Sequence, residues 1–355
     1  MKRTNTQPAR RDAASSALAF PFPTPPAPGA AIEVAPGIHW LRMPLPFALD
    51  HINLWLLADG DGWTIVDTGF GGGDETKTLW QKVFDSMPGG RPVKRVLVTH
   101  FHPDHMGLAG WLCERFGVEL WTSQAEWLTA HLVRQGWGAG DTERRLAHYR
   151  RNGLAAEHLD LLRARGNTYA AYVTPVPPQY RRVMAGDVVA IGGSSWRVMV
   201  GRGHAPEHLC LYNPALDVLI SGDQILPVIT TNVSVWPDEP DGNPLKLYLA
   251  SLAVFRPLPE TALVLPSHGL PFRHLYLRLD QLAHHHDERL DRAVAACAAP
   301  LTAADLIPVL FRRQLDIHQL GFAMGEALAH LHYLVGEGRL RRETGADGVH
   351  RFGKV

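Results

Sequence analysis

Cysteine is scarce in this chain, and the scarcity sets a first boundary. The three cysteines, Cys113, Cys210 and Cys297, are odd in number, far apart and form no C-x-x-C pair. That excludes a disulfide framework and points to packed thiols in a reducing, cytoplasmic compartment. No apolar run is long enough to span a bilayer, so no membrane partner is expected. Charge of one sign is lacking too: 35 Lys and Arg balance 35 Asp and Glu. The chain as a whole therefore makes no electrostatic case for nucleic acid or an anionic surface. The opening "MKRTNTQPARRDAASSALAF" lacks the continuous apolar stretch of a signal peptide. With "PFPTPPAPGA" it makes residues 1–30 a flexible, proline-rich arm or strap.

What the chain does have is apolar content and histidine. At 46% hydrophobic over 355 residues, it can bury one large domain and a smaller one. From Ala31, "IEVAPGIHWLRMPLP" and "HINLWLLADGDGWTIVDTG" read as strands, with a hairpin turn at Asp61-Gly62. "GGGDETKTLWQKVFDSM" opens a helix with Leu79, Trp80, Val83 and Phe84 on one face, and "VKRVLVTH" is a short buried strand. This alternation marks a mixed α/β layer architecture. Residues 124–166 form a helical insertion before strands resume, ending near "TALVLPSHG". Residues 274–355 then give three helices and a hairpin, the order of a winged helix. "HHH" at 284–286 lies in a charged helical segment and reads as a solvated face, not a metal site.

The chemistry concentrates in "VLVTHFHPDHMG", residues 96–107. His100 and His102 are two apart in extended chain and point the same way. Pro103 favours the first turn of a helix, which swings Asp104 and His105 back toward the strand end. Two divalent ions a few ångströms apart would satisfy all four side chains. Further donors belong at strand ends on the same sheet edge. His204 in "GRGHAPEH", Asp223 in "LISGDQ" and His268 in "LVLPSHG" each follow an apolar run and have a glycine beside them.

H-x-H-x-D-H, a Gly-His, an S-G-D and an S-H-G, in this order, resemble the metallo-β-lactamase-fold hydrolases across about residues 33 to 273. The resemblance implies an αββα sandwich of two facing sheets between outer helices, with catalytic domain 31–273. It implies that His100, His102 and His204 hold one metal, that Asp104, His105 and His268 hold the second, and that Asp223 bridges both. Asp67 in "TIVDTG" matches an aspartate that orients an imidazole or the adjacent loop, the alternative being ordinary turn capping. Glu207 and His208 are read as outer support or packing.

Two such cations, Zn2+ first with Fe or Mn as alternatives, ionise a shared water near neutral pH. The bridging hydroxide attacks a carbonyl while Asp104 orients it or relays its proton. The expected activity is hydrolysis of a thioester or ester of the hydroxyacylglutathione type, in the manner of glyoxalase II-like members with an added C-terminal domain. Asp223 argues against β-lactamase activity, and Leu226, where the lactonases carry a tyrosine, against a lactonase. The partner is a small acyl molecule, held under the insertion by Trp127, Trp137 and Tyr149. A metal-dependent endoribonuclease is the alternative, with Arg339, Arg341, Arg342 and Arg351 of the tail on phosphates. Near-neutral charge favours instead a structural or dimerising tail and a homodimer. His102→Ala and Asp223→Ala should each abolish turnover and lower metal content in elemental analysis, whereas His285→Ala should do neither. Normal turnover in either ligand variant contradicts the assignment.

Overall fold

The computed structural model describes residues 18–86 and 91–355, so residues 1–17 of the expected arm lie outside the described residues. Strands β1 (Ala31–Ala35), β2 (Ile38–Pro44), β3 (His51–Asp59) and β4 (Gly62–Val66) form an antiparallel run. The β3–β4 turn sits at Gly60-Asp61, one residue earlier than the sequence suggests, because Gly60 supplies the positive φ of 66° that the turn needs. Helix α1 (Glu75–Ser86) then crosses to β5 (Val93–Leu97), and α2 (Pro103–Met106) and α3 (Ala109–Phe116) lead to β6 (Leu120–Thr122). The insertion supplies α4 (Gln124–Arg134), α5 (Thr142–Arg151) and α6 (Ala156–Arg165), followed by α7 (Tyr169–Tyr172) and β7 (Tyr180–Arg182). These seven strands form one sheet in chain order, parallel from β4 onward.

The second sheet has five strands: β8 (Val188–Ile191), β9 (Ser194–Gly201), β10 (His208–Asn213), β11 (Val218–Gly222) and β12 (Leu263–Pro266). Helix α8 (Pro244–Leu252) intervenes before β12, which pairs parallel to β11. The chain finishes with α9 (Leu275–Ala296), α10 (Ala303–Leu310), α11 (Ile317–Gly336) and the hairpin β13 (Leu340–Thr344) and β14 (His350–Lys354). Among the described residues, no helix is long and apolar enough to cross a membrane.

Three apolar cores show how these pieces stack. Trp40, Trp55 and Leu97 of the first sheet meet Trp196, Leu211 and Ile220 of the second, so the sheets pack face to face. Leu41, Leu54 and Ile65 meet Trp80, Val83 and Leu112 of α1 and α3 on the first sheet's outer side. Met199, Tyr212 and Val264 meet Tyr248, Leu279 and Leu328 of α8, α9 and α11 on the other. The result is helices, sheet, sheet, helices. Because β3, β4, β10, β11 and β12 lie between two such cores, their side chains are buried on both faces, which explains their continuous apolar runs.

The structure revises three expectations. Leu18 is buried in the helix-side core, Ala19 bridges Arg273 and Phe22 packs on the inter-sheet core. Residues 18–30 are therefore a docked strap, not a free arm. Within the triple histidine only His284 is solvated; His286 is fully buried, its ring 5.3 Å from that of His330, because α9 lays this face against α11. Tyr149 is buried with its hydroxyl on the Gly321 carbonyl at 3.2 Å, and the Trp127 ring stacks on Tyr180 while its N–H bonds the Pro177 carbonyl. Both residues brace the insertion, and of the three aromatics assigned to substrate only Trp137 is exposed.

Trp55 lies wholly buried between the sheets, its ring stacked on Trp40 with centroids 6.4 Å apart. Trp55→Ala should cost about 3–5 kcal/mol of stability, read from the chemical-denaturation midpoint. A loss below about 1 kcal/mol, the scale of ordinary surface substitutions, would contradict the packing.

Candidate metal centre

The strand ends supply the site. Asp67 follows β4 in the left-handed region at φ 61°, which an aspartate tolerates better than most residues. That turn carries its carboxylate beneath the end of β5, where Oδ1 accepts the Thr99 N–H at 2.8 Å and Oδ2 accepts Nδ1–H of His105 at 2.8 Å. Past β5 the chain bends at Thr99, Phe101 and His102, and Pro103 opens α2 where its missing N–H costs nothing. One helical turn brings Asp104 and His105 back. His204, Asp223 and His268 follow β9, β11 and β12 on the same edge. Gly222 at φ 54° permits the turn into Asp223, and a Cβ there would meet the His208 ring at 2.3 Å. Backbone bonds from Leu209 N to Thr99 O at 2.9 Å and from Asn53 N to Ser267 O at 2.7 Å stitch the two sheets at this end.

All seven sequence-derived donors converge. His100 Nε2 lies 2.9 Å from His102 Nδ1 and 3.2 Å from His204 Nε2. His268 Nε2 lies 3.3 Å from Asp104 Oδ2 and 3.4 Å from Asp223 Oδ1. His105 Nε2 is 3.5 Å from Asp223 Oδ1, and His204 Nε2 is 3.5 Å from Asp223 Oδ2. Three sets have donor atoms within 4.8 Å of one another: His100, His102 and His204; His100, His105 and Asp223; Asp104, His105 and His268.

The other ring nitrogens of His100, His105, His204 and His268 are already engaged. His100 Nδ1 meets the Thr99 hydroxyl at 3.0 Å, His204 Nδ1 donates to the Asn232 carbonyl at 2.7 Å, and His268 Nδ1 donates to the His51 carbonyl at 2.7 Å. A carbonyl or carboxylate acceptor fixes the proton on Nδ1 and leaves the Nε2 lone pair for the site. His208 is the exception. Its Nε2 accepts the Asp223 N–H at 3.0 Å and its ring stacks on His100, so it supports the donors without joining them.

Electrostatics divide the cluster. Burial drives His100 well below its ordinary pKa and His102 down to about 3, with neighbouring imidazoles adding to the shift. Burial would lower His105 and His268 too, but carboxylates overcome it. Asp67, Asp104 and Asp223 hold His105 well above the usual range, and Asp223 with Asp104 raises His268 to about 10. Against their own burial, Asp104 is held down to about 2 by His105 and His268, and Asp223 well below the carboxylate range chiefly by His268 and His105. The donor chemistry fits divalent cations. Buried His105 Nε2 and Asp223 Oδ1 have no hydrogen-bond partner, and imidazole lone pairs face one another near 3 Å. A cation between them removes that repulsion and displaces the protons on His105 and His268.

Sequence reasoning passed over one carboxylate that holds this arrangement together. Glu126 on α4 is fully buried; its Oε2 accepts the Phe101 N–H at 2.9 Å and its Oε1 the Glu207 N–H at 2.6 Å. Phe101 lies between two donors and Glu207 three residues past a third, so one side chain ties both loops. Burial raises its pKa to about 7 against the pull of those two N–H groups. The spacing Ser123-x-x-Glu126 is a visible signal, since it matches a capping box. Only half of the box forms: Ser123 Oγ accepts the Glu126 N–H at 3.3 Å, and the carboxylate turns to the loops instead.

A family model for the metallo-beta-lactamase superfamily matches residues 48–268. The chain belongs to this superfamily. A second model, for the metallo-beta-lactamase-like C-terminal domain, matches residues 290–355. The chain is similar to the crystal structure of a beta-lactamase domain protein from Burkholderia ambifaria, at 50% identity and TM-score 0.91, covering 97% of this chain and 100% of that one. It is also similar to the metallo-beta-lactamase family protein TTHA1429 from Thermus thermophilus, at 29% identity and TM-score 0.77, covering 91% and 100%. A Bacillus subtilis (strain 168) protein named "Probable metallo-hydrolase YqjP" is 23% identical over 301 residues, 84% of this chain and 92% of that one. Superfamily membership supports a hydrolase, and fold and donor set together imply divalent metal ions.

Because Glu126 orients both donor loops, Glu126→Ala should weaken metal binding about 10–100-fold in chelator competition. Unchanged affinity would show that the loops hold without it.

Proposed function

We propose that this superfamily member is a dinuclear metal-dependent hydrolase of small thioesters or esters. His100, His102 and His204 would hold one divalent ion and Asp104, His105 and His268 the second, with Asp223 within reach of both, Zn2+ being the first choice and Fe or Mn the alternatives. The observation that carries this reading is the convergence of seven donors, with His105, His204 and His268 held on the scaffold through Nδ1. Bound there, such a pair supplies a Lewis acid for a carbonyl and a water that ionises near neutral pH.

The chain's own residues do the rest. The Asp104 carboxylate can take a proton from the attacking nucleophile and return it to the leaving atom. Two carboxylates do not neutralise two divalent ions, so the site favours the negative charge that develops on a carbonyl oxygen and then on a thiolate or alkoxide. Val228 and Ile229, five and six residues past Asp223, are exposed apolar side chains, as is Trp137 on the insertion, and they suit an apolar acyl group.

A small-molecule partner is favoured over nucleic acid by the state of the tail arginines. Arg339 pairs with Asp291 at 3.0 Å, and Arg341, Arg342 and Arg351 pair with Glu343, Asp241 and Asp347, each at 2.7 Å. Arginines already paired with carboxylates are poor phosphate contacts, which supports a winged-helix-like tail that serves the fold.

The test is a substrate panel of acyl-CoA, acyl-glutathione and aryl esters with metal-loaded protein. The reading expects kcat/KM on the order of 10^4 per molar per second or more for a thioester or ester. Silence across the panel rejects that bond class.

A further inference from the structure

Asn232 links the C-terminal helices to the metal centre. Asn232 lies between β11 and α8, and its main-chain carbonyl is the acceptor for His204 Nδ1–H. Its side chain is fixed at both ends: Oδ1 accepts the Ser234 hydroxyl at 2.7 Å, and Nδ2 donates to Glu326 Oε2 at 3.2 Å. Glu326 is buried on α11, and its other oxygen pairs with Arg289 of α9. One residue earlier on α11, the Gly325 carbonyl accepts the Val235 N–H at 3.1 Å. A Cβ on Gly325 would lie 2.6 Å from Ser234 Oγ, so helix and segment touch with no room for a side chain.

We propose that Asn232 and Glu326 are positioning residues for His204, and that the C-terminal helices set the ring orientation of this donor through them. The proposal rests on His204 being a metal donor and is independent of the thioester reading. A buried ion pair such as Glu326 with Arg289 costs desolvation that an apolar pair would not. What it supplies is direction. An amide has distinct donor and acceptor ends, and only one orientation of Asn232 serves both Ser234 and Glu326. With the amide fixed, the carbonyl of the same residue is fixed, and with it the tautomer and plane of His204. Glu126 holds the same loop at Glu207 from the opposite side. His204 is thus braced from both halves of the molecule.

The experiment measures stepwise Co2+ affinity by chelator competition, together with the Co2+ absorption spectrum, in full-length wild type, Glu326→Ala, Glu326→Gln, Ser234→Ala and Leu331→Ala. Glu326→Ala should weaken one of the two equivalents about tenfold or more and change its absorption, leaving the other equivalent as in wild type. Glu326→Gln, which keeps an oxygen for Asn232, should recover part of that loss. Leu331→Ala, which deletes a buried apolar side chain on the same helix, should lower the melting temperature and leave both affinities unchanged. Should Glu326→Ala not fold, Ser234→Ala carries the test, with about threefold weakening of the same equivalent. Wild-type affinity for both equivalents in Glu326→Ala, or in Ser234→Ala where the former does not fold, overturns the proposal. So does an equal affinity loss in Leu331→Ala. A silent substrate panel beside a weakened equivalent in Glu326→Ala would reject the thioester reading and leave this one standing.

Discussion

Three donor imidazoles in the cluster are each held by a bond on the far side, and the site depends on that division of labour. Asp67, the Asn232 carbonyl and the His51 carbonyl take the Nδ1 protons of His105, His204 and His268, and these bonds turn three Nε2 lone pairs toward one small volume. Imidazoles free to rotate would turn those lone pairs away from one another. Here the acceptors belong to strand ends and loops that the packed sheets fix, so the facing nitrogens of His100, His102 and His204 are held together by the fold, and cations relieve their repulsion.

The four-layer architecture makes the acceptors rigid. The inter-sheet core aligns the two sheets, and cross-sheet backbone bonds close them at the edge where the donors emerge. Helices then act as outer braces. α4 sends Glu126 across two donor loops from the first sheet's side, and α11 approaches the segment 232–235 from the other. The superfamily frame supplies the edge, and the added helices lend it stiffness.

Much of this was legible in the sequence because it rests on short-range rules. A β-branched run followed by H-x-H-x-D-H specifies strand, paired histidines and returning helical turn within a dozen residues. The three distant donors announce themselves by glycine at strand ends. The supports were harder to read because they act across long separations. Nothing near Asn232 indicates that Glu326, 94 residues on, will fix its amide. Glu126 resembles a routine helix cap until the fold sets its carboxylate against two loops. The triple histidine misled for a related reason: a charged helix looks solvated along its length, yet the packing of α9 on α11 buries His286 while His284 stays in water. Local sequence carries periodicity, and partner choice is decided by tertiary packing.

The most direct measurement of the central claim is a calorimetric Zn2+ titration of metal-stripped protein, with the melting temperature followed alongside. The account predicts two equivalents per chain and a rise in melting temperature, with stabilisation of about 2.7 kcal/mol per site once free Zn2+ reaches a hundred times that site's Kd. A protein that takes up no Zn2+, or a single equivalent, with an unchanged melting temperature would contradict it.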